Sequence, residues 1–237
     1  MTFYDEMRAL VLRHGAINNP YLDRFKTGAL TDEEFQRFAV EFYNFARFFP
    51  KILVAQLVNT EDEAVADELT TVLYSELGDG RPKNRHELLY RDFLRSVGID
   101  VHEAMARPML PSTRAYIDGM EQLYSSGNHA MALGASFGLE NMAITMWDHL
   151  IPGLHILQSS RYLQMDTTYF TFHRELEATH EDAMRKAVAV VDGGETGELG
   201  KMTERERDDF RRGMTAVLDY LEGFWMGLDH RPVSHAA

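Results

Sequence analysis

Apolar residues recur along this chain at intervals of three and four, and strand-like alternation is scarce, so nearly every long segment reads as amphipathic helix. A first helix is expected over about Tyr4–His14. A second begins at Thr31, where Thr31-Asp-Glu-Glu34 has the form of a capping box. It carries Phe35, Phe38, Phe42, Phe45 and Phe49 before Pro50, a residue that kinks helices. Thr60-Glu-Asp-Glu63 repeats the capping pattern and predicts a third helix to Leu77, after which Gly78-Asp-Gly80 and Pro82 break the periodicity. A fourth covers about Asn84–Val97 and stops at Gly98. Pro108 and Pro111 bracket a loop, and a fifth helix runs on to Ser125. The sixth covers about His129–Leu150, with Gly134 and Gly138 permitting close approach of a neighbour. The seventh covers about Thr167–Val191. A flexible loop at about 192–201 precedes the last, about Glu204–Leu228. No composition break divides the chain. The pattern therefore predicts one all-α domain over residues 1–237, a bundle of seven or eight helices.

On the seventh helix His173, Glu177 and His180 stand at i, i+4 and i+7, which at roughly 100° per residue places them on one stripe. Two imidazoles and a carboxylate on one stripe are a set that binds iron, manganese or zinc. The competing reading is a solvated charged face, because Arg174, Glu175, Glu181 and Asp182 lie close by. Complementary ligands elsewhere decide between the two. Glu140 is the only charged residue between His129 and Asp148, in a segment of small and apolar residues. A carboxylate there is unfavourable by several kcal/mol unless it is paired or binds a metal. Glu76 closes one helix and His86 opens the next. Ten positions apart, they would not share a face of an unbroken helix, but the Gly78–Pro82 interruption can fold them to one side. Together Glu76, His86, Glu140, His173, Glu177 and His180 supply three carboxylates and three imidazoles. The other seven histidines show no comparable pattern.

Composition narrows the chemistry. The 237 residues are 45% hydrophobic, enough for a large core, and no apolar run approaches the roughly 20 residues of a membrane span. The N-terminal residues have no secretory pattern, so a cytoplasmic location is expected. With no cysteine, disulfides, thiolate metal sites and cysteine nucleophiles are excluded, and a metal site must be built from His and carboxylate, which suits iron or manganese. A net charge of −13 argues against a nucleic-acid partner.

The order of these residues resembles the haem-oxygenase-like di-iron oxidases and oxygenases: Glu76, then His86 after a Gly-Asp-Gly turn, Glu140 in a small-residue helix, then His173-x3-Glu177-x2-His180. Ser75-Glu-Leu-Gly-Asp-Gly80 and His86-Glu-Leu-Leu-Tyr-Arg-Asp-Phe-Leu94 also match that family's wording, and the likeness covers most of residues 30–190. The resemblance implies a haem-oxygenase-like bundle and two Fe(II) ions held by the six residues, with manganese–iron occupancy also open. It implies dioxygen as co-substrate, a peroxo-bridged intermediate, an electron donor supplied from outside, and a small-molecule substrate. Its members oxidise amino acids, fatty acids and other small metabolites. The ligand-bearing seventh helix is expected to be mobile without metal, and a homodimer is compatible with the fold.

The chain departs from the family where Glu177 replaces the usual Asp. It has no Lys or Arg from Ala130 to Ser160, where relatives that make para-aminobenzoate from their own side chains carry a Lys. It lacks the cysteine of the thiamine-salvage relatives. A haem-binding role for His14 would leave the six-residue set unexplained. Tyr43, Arg47 and Phe48, on an aromatic-rich helix, are the expected substrate contacts, with Arg47 a partner for a carboxylate or, alternatively, a residue reaching the surface. The leading expectation is an oxygenase or oxidase acting on a small carboxylate-bearing metabolite, with an amino acid the foremost case. The alternatives are a fatty-acid oxidative decarboxylase of the same fold, a metal-free helical binding or effector module, and a metal-free relative handling a heterocyclic cofactor precursor.

Overall fold

The computed structural model describes residues 2–192 and 201–229, which form ten α-helices and one 3-10 turn, with no strand among them. The helices are α1 (Phe3–Val11), α2 (Pro20–Lys26), α3 (Asp32–Val58), α4 (Glu63–Glu76), α5 (His86–Ser96), α6 (Val101–Ala106), α7 (Pro111–Tyr124), α8 (His129–Ser160), α9 (Thr168–Val191) and α10 (Glu204–Asp229). Most of the loop expected at 192–201 lies outside the described residues.

Two short helices, α2 and α6, escape the periodicity argument because each is under two turns and is started by a cap. The Asn19 side chain accepts from Leu22 N ahead of Pro20, and Asp100 accepts from Glu103 N. The capping box at Thr31 forms as expected, with Thr31 and Glu34 bonded reciprocally. The second box does not. Asp62 caps α4 by accepting from Val65 N, while the Thr60 hydroxyl donates back to the Gln56 carbonyl and closes α3.

Neither proline inside a helix ends it. Helix α3 continues through Pro50 to Val58, with Ile52, Leu53 and Gln56 buried beyond the proline. Helix α8 was expected to end at Leu150 but continues through Pro152 to Ser160. The loss of one backbone hydrogen bond there is offset by packing. Leu154 and Leu157 are fully buried, and Gly153 lies so close to the Phe25 carbonyl of α2 that a side chain would collide with it.

Helix α8 is the centre of the bundle, packed on α10, α9, α2, α7 and α1. The glycines set how close its neighbours come. Gly134 of α8 faces the Phe210 backbone of α10, and Gly213 of α10 faces the Met131 backbone of α8. Helix α9 lies against α4, α8, α5 and α1. It is thereby placed beside the helices that carry Glu76, Glu140 and His86.

Candidate metal centre

The turn after α4 determines whether Glu76 and His86 can meet. Gly78, Asp79 and Gly80 take φ values of 91°, 51° and 72°, a left-handed run that glycine adopts without strain. A Cβ on Gly78 would stand 2.6 Å from the Arg81 carbonyl and 2.7 Å from the Arg85 nitrogen, so the chain doubles back tightly. The 3-10 turn at Pro82–Asn84 then leads straight into α5. As a result His86 Nδ1 lies 2.8 Å from Glu76 Oε2, with both side chains almost wholly buried.

His173 joins this pair from α9, its Nε2 3.8 Å from Glu76 Oε1. Its Nδ1 lies 2.7 Å from the Tyr169 carbonyl. A carbonyl only accepts, so Nδ1 carries the proton and Nε2 presents its lone pair to the group. On the other side His180 Nδ1 lies 3.3 Å from Glu140 Oε2 and 3.8 Å from Glu177 Oε2. The Trp147 indole donates to Glu177 Oε1 at 2.7 Å and leaves Oε2 alone. The six residues thus fall into two trios, Glu76–His86–His173 and Glu140–Glu177–His180. Within each, one donor atom per residue lies within 4.8 Å of the others, and all six residues are buried.

Their atoms are not satisfied by the protein. Both His86 nitrogens, Glu177 Oε2 and His180 Nε2 are buried with no hydrogen-bond partner, and the close approach of His86 to Glu76 lacks hydrogen-bond geometry. Each such atom is destabilising by about 1–3 kcal/mol; others are scattered through the bundle, as at Tyr21, Asn44 and Tyr124, but here they gather on ionisable groups. Four in two facing clusters are what a site for cations looks like, and a donor set of imidazole and carboxylate without thiolate fits iron.

The protonation pattern agrees. Burial pushes the Glu177 carboxyl up, and the Glu140 charge beside it pushes it further. Burial would lower the His180 imidazole, but Glu140 and Glu177 hold it well above its usual range. Burial would raise Glu76, but His86 and His173 hold it far below the usual carboxylate range. Burial and the neighbouring His86 depress His173. Without a cation, the second trio must keep a proton to compensate its two carboxylates.

All of the trio residues except His86 border one small cavity of about 40 Å³, whose other lining is Phe45, Ala46, Phe49, Leu139, Met142, Ala143, Met146, Trp147 and Tyr169. Tyr43, Arg47 and Phe48, the expected substrate contacts, are not in that lining. The face of α3 turned to the cavity is the Phe45–Ala46–Phe49 stripe. Tyr43 points toward α5, where its hydroxyl donates to Glu87 Oε1 at 2.7 Å, and the Arg47 guanidinium sits over the Phe48 ring at 4.7 Å. No Lys or Arg lines the cavity.

Trp147 and Tyr169 are the site residues that sequence reasoning passed over, although spacing marks both. Trp147 is seven positions after Glu140 and Tyr169 four before His173, so each shares its partner's stripe.

An all-α bundle that buries two trios of His and carboxylate able to hold a metal defines a helical protein of the haem-oxygenase-like fold. The chain belongs to the family of iron-containing redox enzymes, which it matches over residues 36–220. It is therefore an enzyme of that redox class. It is 26% identical over 226 residues to the 4-chloro-allylglycine synthase of Streptantibioticus cattleyicolor, covering 95% of this chain and 82% of that protein. It is 24% identical to the 4-aminobenzoate synthase of Chlamydia muridarum, over 88% of this chain and 85% of the relative. A solved domain of unknown function from Shewanella denitrificans, with a heme oxygenase-like fold, superposes with a TM-score of 0.67 at 19% identity. It covers 95% of this chain and 88% of that one. Among the described residues no helix is long and apolar enough to cross a membrane.

Proposed function

We propose that Glu76, His86 and His173 hold one iron and Glu140, Glu177 and His180 a second, and that the protein uses dioxygen to oxidise a small amino acid or a similar amine-bearing carboxylate. The observation that carries this reading is the pair of buried trios with orphaned ligand atoms. When bound, reduced iron would supply the electrons that activate dioxygen. The chain's own contribution is positional. The Tyr169 carbonyl fixes the His173 tautomer, and Trp147 holds one oxygen of Glu177 so that the other faces the second trio. The aromatic and methionine lining keeps water from the reacting face, which strengthens every electrostatic interaction inside.

The substrate class draws on the relatives, whose names specify an amino acid in one case and an aminobenzoate in the other. The cavity beside the trios is small and lined by aromatic, methionine and aliphatic side chains, which suits the carbon skeleton of a small metabolite. The test is direct. Anaerobic titration with Fe(II) should reach two ions per chain, and a screen of amino acids should find members that accelerate oxygen consumption. Binding well below two ions per chain, or oxygen use indifferent to every amino acid, overturns the proposal.

A further inference from the structure

A file of rings runs from the first trio to Tyr43, which is buried beneath the partly exposed Glu87 and Arg91 side chains. The His173 ring centroid is 4.1 Å from that of Tyr169, Tyr169 is 4.6 Å from Tyr90, and Tyr90 is 5.7 Å from Tyr43, stacked at 27°. The rings packed around the file are largely phenylalanine, including Phe42, Phe93 and Phe170. Phenylalanine does not give up an electron under biological conditions, whereas a phenol does. A phenol gives it up readily only if its proton can leave at the same time, and here the tyrosines differ. The Tyr90 hydroxyl donates to the Ala39 carbonyl at 3.1 Å, which is no base. The Tyr43 hydroxyl donates to the Glu87 carboxylate at 2.7 Å and accepts from Arg91 Nε at 3.1 Å. The Glu87 and Arg91 side chains are 25% and 34% exposed, so this end of the file meets solvent.

We infer that Tyr169, Tyr90 and Tyr43 form an electron relay whose terminal donor is Tyr43; the inference rests on the di-iron reading. In the absence of substrate, oxidised iron held by the first trio would be the one-electron acceptor: the electron leaves the Tyr43 phenol and tunnels through the Tyr90, Tyr169 and His173 rings. The Tyr43 O–H bond breaks, its proton moves along the existing hydrogen bond to Glu87, and a neutral tyrosyl radical remains on Tyr43, buried beneath the Glu87–Arg91 pair. The relay draws oxidation away from Trp147 and Tyr169, which line the cavity.

The experiment mixes Fe(II)-loaded protein with oxygenated buffer without substrate, freezes samples at intervals and records electron paramagnetic resonance spectra, with ring-deuterated tyrosine to identify the radical. The wild-type protein should give a tyrosyl signal that narrows on deuteration. Tyr43→Phe should lose it, and its peptide map should show oxygen-atom addition at Trp147 or Tyr169. Iron content and far-UV circular dichroism should match the wild type. Glu87→Gln, which keeps a hydrogen bond but removes the base, should also suppress the signal, and it serves as the second variant if Tyr43→Phe does not fold. A wild type that binds iron and consumes oxygen without a tyrosyl signal overturns the relay alone, as does an unchanged signal in Tyr43→Phe or in Glu87→Gln. Failure to bind iron or to consume oxygen overturns the relay together with the di-iron reading.

Discussion

At the scale of single residues, the site depends on groups that are not themselves ligand candidates. Trp147 satisfies one Glu177 oxygen and so determines that the other is left for a cation. Removing such a supporting hydrogen bond typically weakens metal binding about 10- to 100-fold. Trp147→Phe is therefore expected to reduce iron affinity by that order while leaving the fold intact, as read by competition with a chelator of known affinity. Glu140→Ala or His173→Ala should each lower iron content from two ions per chain toward one. The raised pKa values of Glu177 and His180 fix the direction of the pH dependence. Groups whose pKa is raised still hold protons near neutrality, and a cation must displace them on binding. Iron affinity should therefore rise from about pH 6 to about pH 8, with protons released on loading. A weakly buffered titration with an indicator dye measures that release. An affinity flat across this window would contradict the assigned protonation.

At the scale of elements, two features assemble the first trio: the turn at Gly78–Gly80 and the docking of α9. Gly78→Ala must place a side chain at φ +91° against two backbone atoms. The strain is of order 1–3 kcal/mol if the turn holds. If it opens, Glu76 and His86 separate. In both cases the variant should lose stability in urea, and where the turn opens it should also bind one iron less, whereas Gly98→Ala, also at positive φ (79°) but with open space around it, should lose stability without losing iron. Helix α9 carries three of the six candidates. Its fixed points outside the trios include Glu181, which accepts from Arg8 of α1 at 2.7 Å and lies 3.2 Å from the Tyr4 hydroxyl. In the iron-free protein Glu177 Oε2 and His180 Nε2 of α9 lack partners, which favours local opening. Amides of residues 173–180 should exchange hydrogen faster without iron and slow on its addition. Equal protection in both states would show that α9 docks independently of metal.

At the scale of the whole molecule, a cation that binds only the folded chain adds its binding energy to the stability of the bundle. Ligand at one hundred times its dissociation constant contributes about 2.7 kcal/mol. Iron should raise the melting temperature, and chelation should reverse the gain. The central position of α8 makes this coupling global. The helix that carries Glu140 and Trp147 also packs on α10 through Gly134 and on α2 through Gly153. The bundle and the site thus share one core, and loosening either crossing should weaken iron binding at a distance. Gly134→Val is expected to lower both melting temperature and iron content.

Much of this protein was legible in its sequence. Helical periodicity gave the all-α class, because an apolar stripe at a spacing of 3.6 is a local property of the chain. Burial logic singled out Glu140, because a lone carboxylate in an apolar segment needs a partner wherever the helix packs. The helical stripe placed His173, Glu177 and His180 together for the same local reason. What the sequence misplaced lay at ends and faces. Helix α8 outran Pro152 because packing on α2 outweighed one lost hydrogen bond, and Asp62 displaced Thr60 as a cap because the Thr60 hydroxyl closed the preceding helix. Tyr43 and Arg47 fell outside the cavity because a rotation of one residue on α3 exchanges one face for another, and only the neighbouring helices fix that rotation. The pairing of Glu76 with His86, the division of six residues into two trios and the grip of Trp147 on Glu177 were decided by tertiary structure alone. Each joins atoms from different elements, and the distances between elements are set by packing rather than by local sequence.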